Sequence, residues 1–472
     1  MESQHDAPHA EGVETTVRRW QDLDAAHYLH PFTDHKALRK SGVRVLERAE
    51  GAYTFDVDGA RVLDGLSGIG CVNLGYGRTE LADAAAAAMR KLSYAQSFFN
   101  TTNQPAIELA EQLVELTPPN LNHVFFQSSG SEANETAVRA VLRYWELVGQ
   151  PEKRMIIARE NAYHGSTMLT ASLSGIPPMH HAGGPLPLEG IHHIRAPYHY
   201  LHDPDAHPDV FGLAAAGWLE DKITELGAHN VAAFFAEPLQ GAGGAIIPPD
   251  SYWGEIQRIC STHDVLLVVD EVVTGFGRTG AWFGVDTYKI AAPDIMVLAK
   301  GLTSGYAPLS ATMIGDRVTD VLVDEGGEWF HGFTHSGHPV CCAVALKNIE
   351  ILRDEQVIER AAAETMPLFA ERAAALGDHD LVGDVRTQGF VAGMQLVHDK
   401  LQRTFFPEGH DVGEVCSAEA LQRGVALRAI QTTMVLMPPL IVTREQIDTM
   451  FDVTEASLDA VAQQLSSNGG KP

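Results

Sequence analysis

The sequence is poor in basic residues and has no long apolar run, and both shortages narrow the possible functions. Its 472 residues include 34 lysines and arginines against 61 aspartates and glutamates, which gives a formal net charge of −27. Such a charge argues against nucleic acid or an anionic membrane as a partner. The longest apolar runs have the length of a strand and fall far short of a membrane span. An anionic ligand would therefore need a local positive site, such as a helix N-terminus.

The cysteines are few, and their spacing excludes a disulfide scaffold. None of the five belongs to a CxxC pair. They are Cys71, Cys260, Cys341, Cys342 and Cys416. The first residues, MESQHDAPHAEGVETT, lack a basic start followed by an apolar stretch, so we expect no signal peptide and a loose polar arm over residues 1–16. Together these features favour a protein of the reducing cytoplasm.

Sequence signatures of metal and nucleotide sites are also missing. The stretch HYLHDPDAHPD places His199, His202 and His207 near carboxylates, but it has no helical i, i+4 pair of ligands and resembles a loop. We therefore expect no metal there. The sequence contains neither a GxxxxGK[ST] phosphate loop nor a glycine-rich dinucleotide fingerprint, which argues against a nucleotide ligand.

Short apolar runs alternate with helical patterns between about residues 120 and 315. The runs are HVFF (123–126), MIIA (155–158), VAAFFAEP (231–238), VLLVVDE (265–271), IMVLAK (295–300) and SATMIG (310–315). Runs that are apolar on both faces are typical of parallel strands covered by helices. The stretches between them, such as NETAVRAVLRYWELV and SYWGEIQRICSTH, have helical periodicity. This alternation predicts a doubly wound, mostly parallel α/β domain.

The two ends of the chain are predicted to form a smaller α+β domain. AYTFDVDGARVLDGLSG has the pattern of a hairpin with Asp58-Gly59 as its turn. Long helical patterns begin after residue 340 and are followed by strand-like and helical pieces. We therefore predict a small domain from residues 1–75 and 341–472, and a large domain from residues 76–340.

In open parallel sheets, ligands bind beyond the carboxyl ends of the strands. The first candidate there is FFQSSGSEANETAVRAV, in which a strand stops, a Ser-Ser-Gly-Ser turn follows and a helix begins. Ser129 and Glu132 have the spacing of a capping box. The N–H groups of the helix start, with Ser129, Gly130 and Ser131, form a natural phosphate cradle. An ordinary capped helix is the alternative for this stretch taken alone.

Three further residues are candidates for a ligand site: two stand at the ends of predicted strands, and the third is a tyrosine. Asp270 closes a strongly apolar strand, where a carboxylate needs a partner such as a cationic ring nitrogen. A bond to the local backbone or to Arg278 is the alternative. Lys300 follows another apolar strand. Desolvation there lowers the pKa of a lysine and lets it form a Schiff base. The alternative is a side chain that extends to the surface. Tyr163 is either a core tyrosine or a ring that stacks on a flat cofactor.

Taken together, these candidates describe one cofactor. Pyridoxal phosphate needs a phosphate site, an acidic partner for its pyridine nitrogen and a lysine that forms a Schiff base with it. An aromatic residue that stacks on the ring completes such a site. Each candidate has its own alternative, but their joint occurrence predicts pyridoxal 5'-phosphate as the cofactor.

From HYLHPFTDHKAL near residue 27 to MPPLIVTREQID near residue 448, the sequence resembles the class III, or ω-type, aminotransferases of the fold-type I pyridoxal phosphate superfamily. The matching stretches are SGSEAN, NAYHGST, AEPLQGAGG, DEVVTGFGRTG, AKGLTSGY and HGFTHSGHP. Within this family it is most similar to the amine:pyruvate transaminases. The resemblance implies ping-pong transfer of an amino group from a primary amine or ω-amino acid to pyruvate, which gives an aldehyde or ketone and L-alanine. The same lysine and aspartate serve decarboxylases and aminomutases of the superfamily, which are the alternative.

The resemblance also implies roles for single residues. Lys300 is expected to bind the cofactor covalently and to move the proton, while Asp270 keeps the pyridine nitrogen protonated. Tyr163 and Val272 are expected to cover the two faces of the ring. The other cofactor residues implied in this way are Ser129, Gly130, Ser131, His164, Glu237 and, from a second subunit, Thr334. Because one subunit contributes to the site of the other, the resemblance implies a homodimer.

Further positions are implied for the substrate. Arg428, in ALRAIQTTMVL, matches an arginine that moves in for a carboxylate and away for an amine tail. Gln431 and Thr432 replace the Gly-Asp that is usual after it, a change that bears on this movement. The other substrate-binding positions are Phe32, Gly70, Phe98, Tyr163 and Ala242.

The sequence departs from the family where the substrate pocket is expected. Gly70 stands in place of a usual tryptophan, Ala95 in place of a tyrosine and Ala307 in place of a leucine. All three changes remove volume, so we predict a wider pocket and a long or bulky amine substrate, unless neighbouring side chains fill the space. Val273 stands where ornithine- and GABA-type relatives usually carry glutamine, which favours the pyruvate-using branch.

Overall fold

The computed structural model describes residues 10–181, 183–407 and 409–467. Its strands are β1 (Leu46–Glu50), β2 (Tyr53–Asp56), β3 (Arg61–Asp64), β4 (Leu121–Gln127), β5 (Met155–Arg159), β6 (Ile191–Ile194), β7 (Val231–Ala236), β8 (Leu266–Asp270), β9 (Ile295–Leu298), β10 (Ser310–Gly315), β11 (Val382–Gln388), β12 (Val391–Leu396), β13 (Val425–Ala426), β14 (Arg428–Ile430) and β15 (Thr433–Leu436).

The helices cover the sheets and connect their strands. They are α1 (Ala10–His27), α2 (His35–Ser41), α3 (Ser67–Gly70), α4 (Thr79–Lys91), α5 (Gln104–Leu116), α6 (Gly130–Leu147), α7 (Met168–Leu173), α8 (Pro177–His181), α9 (His199–His202), α10 (Pro208–Leu226), α11 (Asp250–Thr262), α12 (Gly284–Thr287), α13 (Asp316–Asp324), α14 (Pro339–Asp354), α15 (Val357–Arg360), α16 (Met366–Ala375), α17 (Val412–Gln422) and α18 (Arg444–Ser467).

A seven-stranded sheet forms the centre of the large domain. Its strand order is β4-β10-β9-β8-β7-β5-β6, and only β10 runs against its neighbours. The predicted mostly parallel α/β fold is therefore confirmed, and each of the six predicted strands is present. The edge strand β6 was missed, because its sequence, Ile-His-His-Ile, has two histidines in the middle and no apolar run.

The central strands are apolar on both faces because each face packs into a different core. In β8, Leu267 and Val269 belong to one apolar cluster, while Leu266 and Val268 belong to the other. Helices α10 and α11 contribute buried residues to the first cluster, and α6 contributes to the second. Side chains alternate between the faces of a strand, so a sheet covered on both sides needs continuous apolar sequence.

Two smaller sheets lie outside the central one. The order of the first is β1-β2-β3-β13, and that of the second is β11-β12-β15-β14. The antiparallel pairing of β2 with β3 confirms the predicted hairpin, and Gly59 in its turn has a φ of 88°. Because β13 pairs with β3, the N-terminal and C-terminal parts share a sheet. This pairing supports the proposed two-part small domain, whose boundaries stay a prediction.

Two local expectations need correction. The predicted polar arm over residues 1–16 lies outside the described residues as far as position 9, and from Ala10 the backbone is helical. The stretch from His199 to His202, expected as a loop, forms the short helix α9. Within the described ranges, no group of three or more histidine, cysteine or acidic side chains is arranged to hold a metal ion. None of the helices described here combines the length and apolar character needed to cross a membrane.

The two-sided core gives a test of the sheet. Leu266 in β8 is fully buried, whereas Leu401 is 96% exposed. Replacing Leu266 with alanine leaves a cavity, so L266A should lower the free energy of unfolding by about 2–5 kcal/mol. The matched surface change L401A should alter it by less than about 0.5 kcal/mol. Guanidinium denaturation of the cofactor-free proteins measures both, and equal effects would contradict the assigned burial.

Candidate active site

Parallel strands of the central sheet end at one edge, and their ends surround a cavity. The cavity has a volume of about 430 Å³. Strand β4 leads into Ser128, β8 ends with Asp270, and β9 ends two residues before Lys300. The predicted residues in its wall are Ser129, Gly130, Ser131, Tyr163, His164, Asp270, Val272 and Lys300. The structure thus brings the four stretches chosen from the sequence to one place.

One wall of the cavity is the N-terminus of α6. Ser129 is the N-cap, and its hydroxyl accepts a hydrogen bond of 3.2 Å from the N–H of Glu132. The Glu132 carboxylate in turn accepts from the N–H of Ser128 at 2.7 Å. The N–H groups of Gly130 and Ser131 have no acceptor among the described residues. These free donors and the helix dipole favour an anion at this point.

Gly130 brings this helix start close to Val272. A Cβ atom on Gly130 would lie 3.3 Å from both methyl carbons of Val272, a distance tighter than an ordinary contact. Glycine is therefore the residue that lets the helix start approach the Val272 side of the cavity. Val272 itself is half-buried and lines the cavity.

Asp270 is a buried carboxylate held by three donors. It is 2% exposed. Its Oδ2 accepts from His164 Nδ1 at 2.7 Å and from Asn134 Nδ2 at 2.8 Å, and its Oδ1 accepts from the N–H of Val272 at 3.0 Å. Arg278, the sequence-based alternative partner, makes no hydrogen bond to Asp270 in the described structure. These bonds hold the carboxylate in place and leave it acceptor capacity for one more N–H donor.

Lys300 follows β9 in a single 3-10 turn, with a φ of 40°. Its amino group has no hydrogen-bond or ion-pair partner within the described residues. Burial lowers the pKa of Lys300; Cys71, Asp270 and Glu237 oppose the effect, and Arg278 adds to it. At a given pH, this lysine is therefore neutral more often than an exposed lysine, and the neutral amine is the nucleophilic form.

The turn after Lys300 is held tightly. Asn348 Nδ2 donates to the carbonyl oxygens of Gly301 and Leu302 at 2.9 and 3.1 Å. A Cβ atom on Gly301 would lie 2.6 Å from Asn73 Nδ2, so only glycine fits there without a shift. The small residues after the lysine thus serve close packing, and Ala307 further along lines the cavity.

Glu237 follows β7 and reaches the same region. Its Oε1 accepts a hydrogen bond of 3.2 Å from the N–H of Tyr163, and the side chain is 3% exposed. Burial raises the pKa of Glu237 to about 7, with Asp270 adding to the rise and His164 opposing it. Near neutral pH, this carboxyl group is therefore partly protonated. The Tyr163 hydroxyl lies 3.1 Å from Ser166 Oγ.

Several predicted residues lie away from this cavity. Thr334 is exposed, and its carbonyl oxygen accepts from the Tyr94 hydroxyl at 3.0 Å. Phe98 lies against Gly332, where a Cβ atom would be 2.8 Å from its ring. Ala242 is half-buried in the segment after β7. Their roles stay predictions.

Phe32, Gly70 and Arg428 also stand outside the cavity wall. The exposed ring of Phe32 lies 6.2 Å from the ring of Tyr163, edge to face. Gly70 is buried with a φ of 71°, and a Cβ atom there would lie 3.7 Å from Met437 Cε and 3.9 Å from Val273. Arg428 is exposed at the start of β14, and its side chain makes no hydrogen bond or ion pair with any described residue. Its side chain is therefore free to move.

Asn134 is a site residue that sequence reasoning missed. Its Nδ2 donates to Asp270 and also to the carbonyl oxygen of His164, at 2.8 and 3.0 Å. The side chain is 1% exposed. A signal was present in the sequence, because Asn134 stands four residues after Gly130 and so lies on the same face of α6.

Comparison with known proteins places this geometry in a family. The family described as Aminotransferase class-III matches residues 37–458. The putrescine–pyruvate aminotransferase of Pseudomonas aeruginosa is 48% identical over 446 residues, which cover 94% of this chain and 97% of the relative.

Solved structures agree with this match. The ω-transaminase of Pseudomonas jessenii in complex with PMP superposes with a TM-score of 0.92 at 37% identity, over 94% of this chain and 99% of the other. A thermostable ω-transaminase variant with glycine in place of a tryptophan, engineered for asymmetric synthesis of enantiopure bulky amines, also reaches 0.92 at 37% identity, over 94% and 100%.

Class III aminotransferases use pyridoxal phosphate, and the cavity has the features that this group needs. The unpaired N–H groups of α6 suit its phosphate, and Asp270 suits its ring nitrogen. Asn134 Oδ1 and His164 Nε2 are buried without a partner in the described structure. The residues present therefore fit the cofactor.

Asn134 provides a test of the cofactor site. Hydrogen bonds to charged groups contribute about 1.5–3 kcal/mol, so N134A should weaken cofactor binding by roughly 10- to 100-fold. The control N122A removes an exposed asparagine that bonds to Asp316 on the surface and should leave binding unchanged. Absorbance titration of the cofactor-free proteins measures the dissociation constants. Equal constants for N134A and N122A would contradict the role of Asn134.

Proposed function

Because this chain belongs to the class III aminotransferases, we propose that it moves the amino group of a primary amine or ω-amino acid to pyruvate, releasing L-alanine. The observation that carries the proposal is the cavity in which Lys300, with a lowered pKa, shares space with the buried Asp270 and the free N-terminus of α6. The similarity to a putrescine–pyruvate aminotransferase supports pyruvate as the acceptor.

The residues divide the work of binding. Bound pyridoxal phosphate supplies an aldehyde that takes up the amino group and a ring that accepts negative charge. The N–H groups of residues 130 and 131 and the Ser129 N-cap would hold its phosphate. Asp270, itself held by His164 and Asn134, would accept a hydrogen bond from the ring nitrogen. Tyr163 and Val272 would shield the ring from water.

Lys300 does the proton transfer. Its Nζ removes the proton from the amine-bearing carbon of the donor and returns a proton when pyruvate is converted to alanine. Burial, which lowers the pKa of Lys300, makes the neutral amine available for this step. The tightly packed Gly301 turn holds the lysine at the end of β9.

Arg428 and Glu237 serve the two different substrates. Pyruvate is an anion, and the unpartnered Arg428 is suited to move toward its carboxylate. With an amine donor, the arginine turns away. Glu237, whose pKa burial raises to about 7, organises hydrogen bonds around the cofactor and this arginine. Gln431 in the following turn has a φ of 54°, so β14 and β15 still form a tight hairpin without the usual glycine.

The active form is a homodimer in the cytoplasm. Several aromatic side chains are exposed on the isolated chain, including Phe99 at 85% and Phe330 at 80%. A second copy would cover such surface and would place Thr334 at the phosphate of its partner. All five cysteines are free thiols, which supports a reducing compartment.

The donor is a long or bulky amine. Ala307 lines the cavity, and Gly70 adds no side chain beside Val273 and Met437. The engineered relative with a tryptophan-to-glycine change, made for bulky amines, supports the same relation between volume and substrate. Ammonium groups are also attracted by a protein of net charge −27.

The proposed catalytic lysine has a direct test. K300A should lose amino transfer by at least about 10³-fold, because the nucleophile and the base are the same group. The measurement mixes the cofactor-loaded protein with an amine alone and follows the cofactor spectrum, and then adds pyruvate and assays alanine. Carbon dioxide release, or product without any acceptor, would point to the decarboxylase or aminomutase alternative. Transfer by K300A at the wild-type rate would refute the role of Lys300.

Pocket width is tested at Gly70. G70W should reduce kcat/KM for bulky amines by about tenfold or more and affect small amines less, because on the proposed function a ring at this position would narrow the substrate entrance. At a φ of 71° any side chain strains the backbone, so G70A, whose Cβ has room, is the control for strain alone. If wild-type protein strongly prefers small amines and G70W leaves bulky ones unimpaired, the pocket is not wide.

A further inference from the structure

Arg278 is a fully buried arginine without a carboxylate partner. It is 0% exposed, and no acidic side chain of the described residues forms an ion pair with it. Burial lowers the pKa of Arg278 to about 10, so the guanidinium is still charged at neutral pH. A buried charge without a counter-ion is costly, and its presence calls for an explanation.

The guanidinium joins four separate segments of the chain. Nη2 donates to Ser67 Oγ at 2.8 Å and to Asn73 Oδ1 at 3.0 Å. Nη1 donates to the carbonyl oxygen of Pro438 and, at 3.4 Å, to that of Phe390. Asn73 Nδ2 also donates to the carbonyl oxygen of Phe276 at 2.7 Å, close to Arg278 in the chain. One side chain thus connects the loop after β8 to both parts of the small domain.

The segment that Arg278 holds, residues 66–73, is strained and carries Gly70. Ser67 has a φ of 46°, in the left-handed region that non-glycine residues rarely adopt. Asp64 fixes the segment from its other side, accepting from the N–H groups of Leu66 and Gly68 at 2.9 and 2.7 Å. Strained conformations persist only where the surroundings determine them, and Arg278 supplies much of that determination.

The same network reaches Lys300. Asn73, bonded to Arg278, packs so closely on Gly301 that a Cβ atom there would lie 2.6 Å from its Nδ2. Gly301 directly follows Lys300. The positive charge of Arg278 also acts on the lysine and adds to the lowering of its pKa. Arg278 is therefore coupled to Lys300 by packing and by charge.

We propose that Arg278 is a positioning residue of the active site, which holds residues 66–73 in the shape that leaves the substrate pocket open and keeps a positive charge near Lys300. The proposal rests on the proposed transaminase function for its effect on substrates, but its effect on Lys300 does not depend on any activity. It assigns two separable contributions to one side chain: the hydrogen bonds of the guanidinium and its charge.

Three variants separate these contributions. R278M removes both the charge and the hydrogen bonds. R278K keeps the charge but loses the planar guanidinium that makes several hydrogen bonds at once. S67A removes one acceptor in residues 66–73 without changing any charge. The first measurement is the pH midpoint for acetylation of Lys300 in the cofactor-free protein, read by peptide mass spectrometry. The second is the ratio of kcat/KM for a bulky amine to that for a small amine in the cofactor-loaded protein.

The charge of Arg278 is tested by the pH midpoint for acetylation of Lys300. R278M should raise the midpoint of Lys300 by roughly half a pH unit or more, because a nearby positive charge disfavours the protonated lysine. R278K and S67A should keep the wild-type midpoint. A general structural role would not distinguish R278M from R278K in this way. If R278M does not fold, a raised midpoint in R278K relative to S67A refutes the charge contribution.

The hydrogen bonds of Arg278 are tested by the ratio of kcat/KM for a bulky amine to that for a small amine. R278K and S67A should both lower the ratio of bulky to small amine by about tenfold, since small displacements of a positioned group are costly. An unchanged ratio in both variants would overturn the positioning of residues 66–73. If wild-type protein transfers no amino group at all, the proposed function fails, whereas the acetylation midpoints still decide the coupling of Arg278 to Lys300.

Discussion

The active site depends on the common direction of the strands in the central sheet. Because β4, β7, β8 and β9 run parallel, their carboxyl ends meet at one edge, and polar groups placed just after buried strands are brought together there. Asp270 and Lys300 line the same cavity because one ends β8 and the other follows the neighbouring strand β9. The two apolar cores that hold these strands thus also hold the geometry of the candidate site.

Burial gives the groups at this edge their chemical character. The same desolvation lowers the pKa of Lys300 and raises that of Glu237 to about 7. Around neutral pH, both groups therefore lie closer to proton exchange than they would in water, as acid–base work requires. Asp270 differs from these two groups in its surroundings, because three hydrogen-bond donors contact its carboxylate. One low-dielectric cavity thus contains two groups whose pKa burial shifts and a carboxylate that three hydrogen bonds hold in place.

Much of the fold and the site could be predicted from the sequence because local patterns encode it. Strands apolar on both faces and the Ser129 cap are visible without any tertiary information. β6 was not, since Ile191–Ile194 carries two histidines at the edge of the sheet. Arg278 could not be placed either, because its partner Ser67 is 211 positions away. The proposed roles of Thr334 and Arg428 involve a second subunit and side-chain movement, which no single-chain pattern describes.

The proposed open pocket depends on the conformation of a whole segment, and not on one missing side chain alone. Gly70 has a φ of 71° and Ser67 one of 46°, and a bulky residue such as tryptophan is an outlier in that region. Asp64 and Arg278 hold this backbone from two sides. Under the proposed function, substrate width in this chain therefore depends on buried hydrogen bonds that hold this backbone and that no substrate touches.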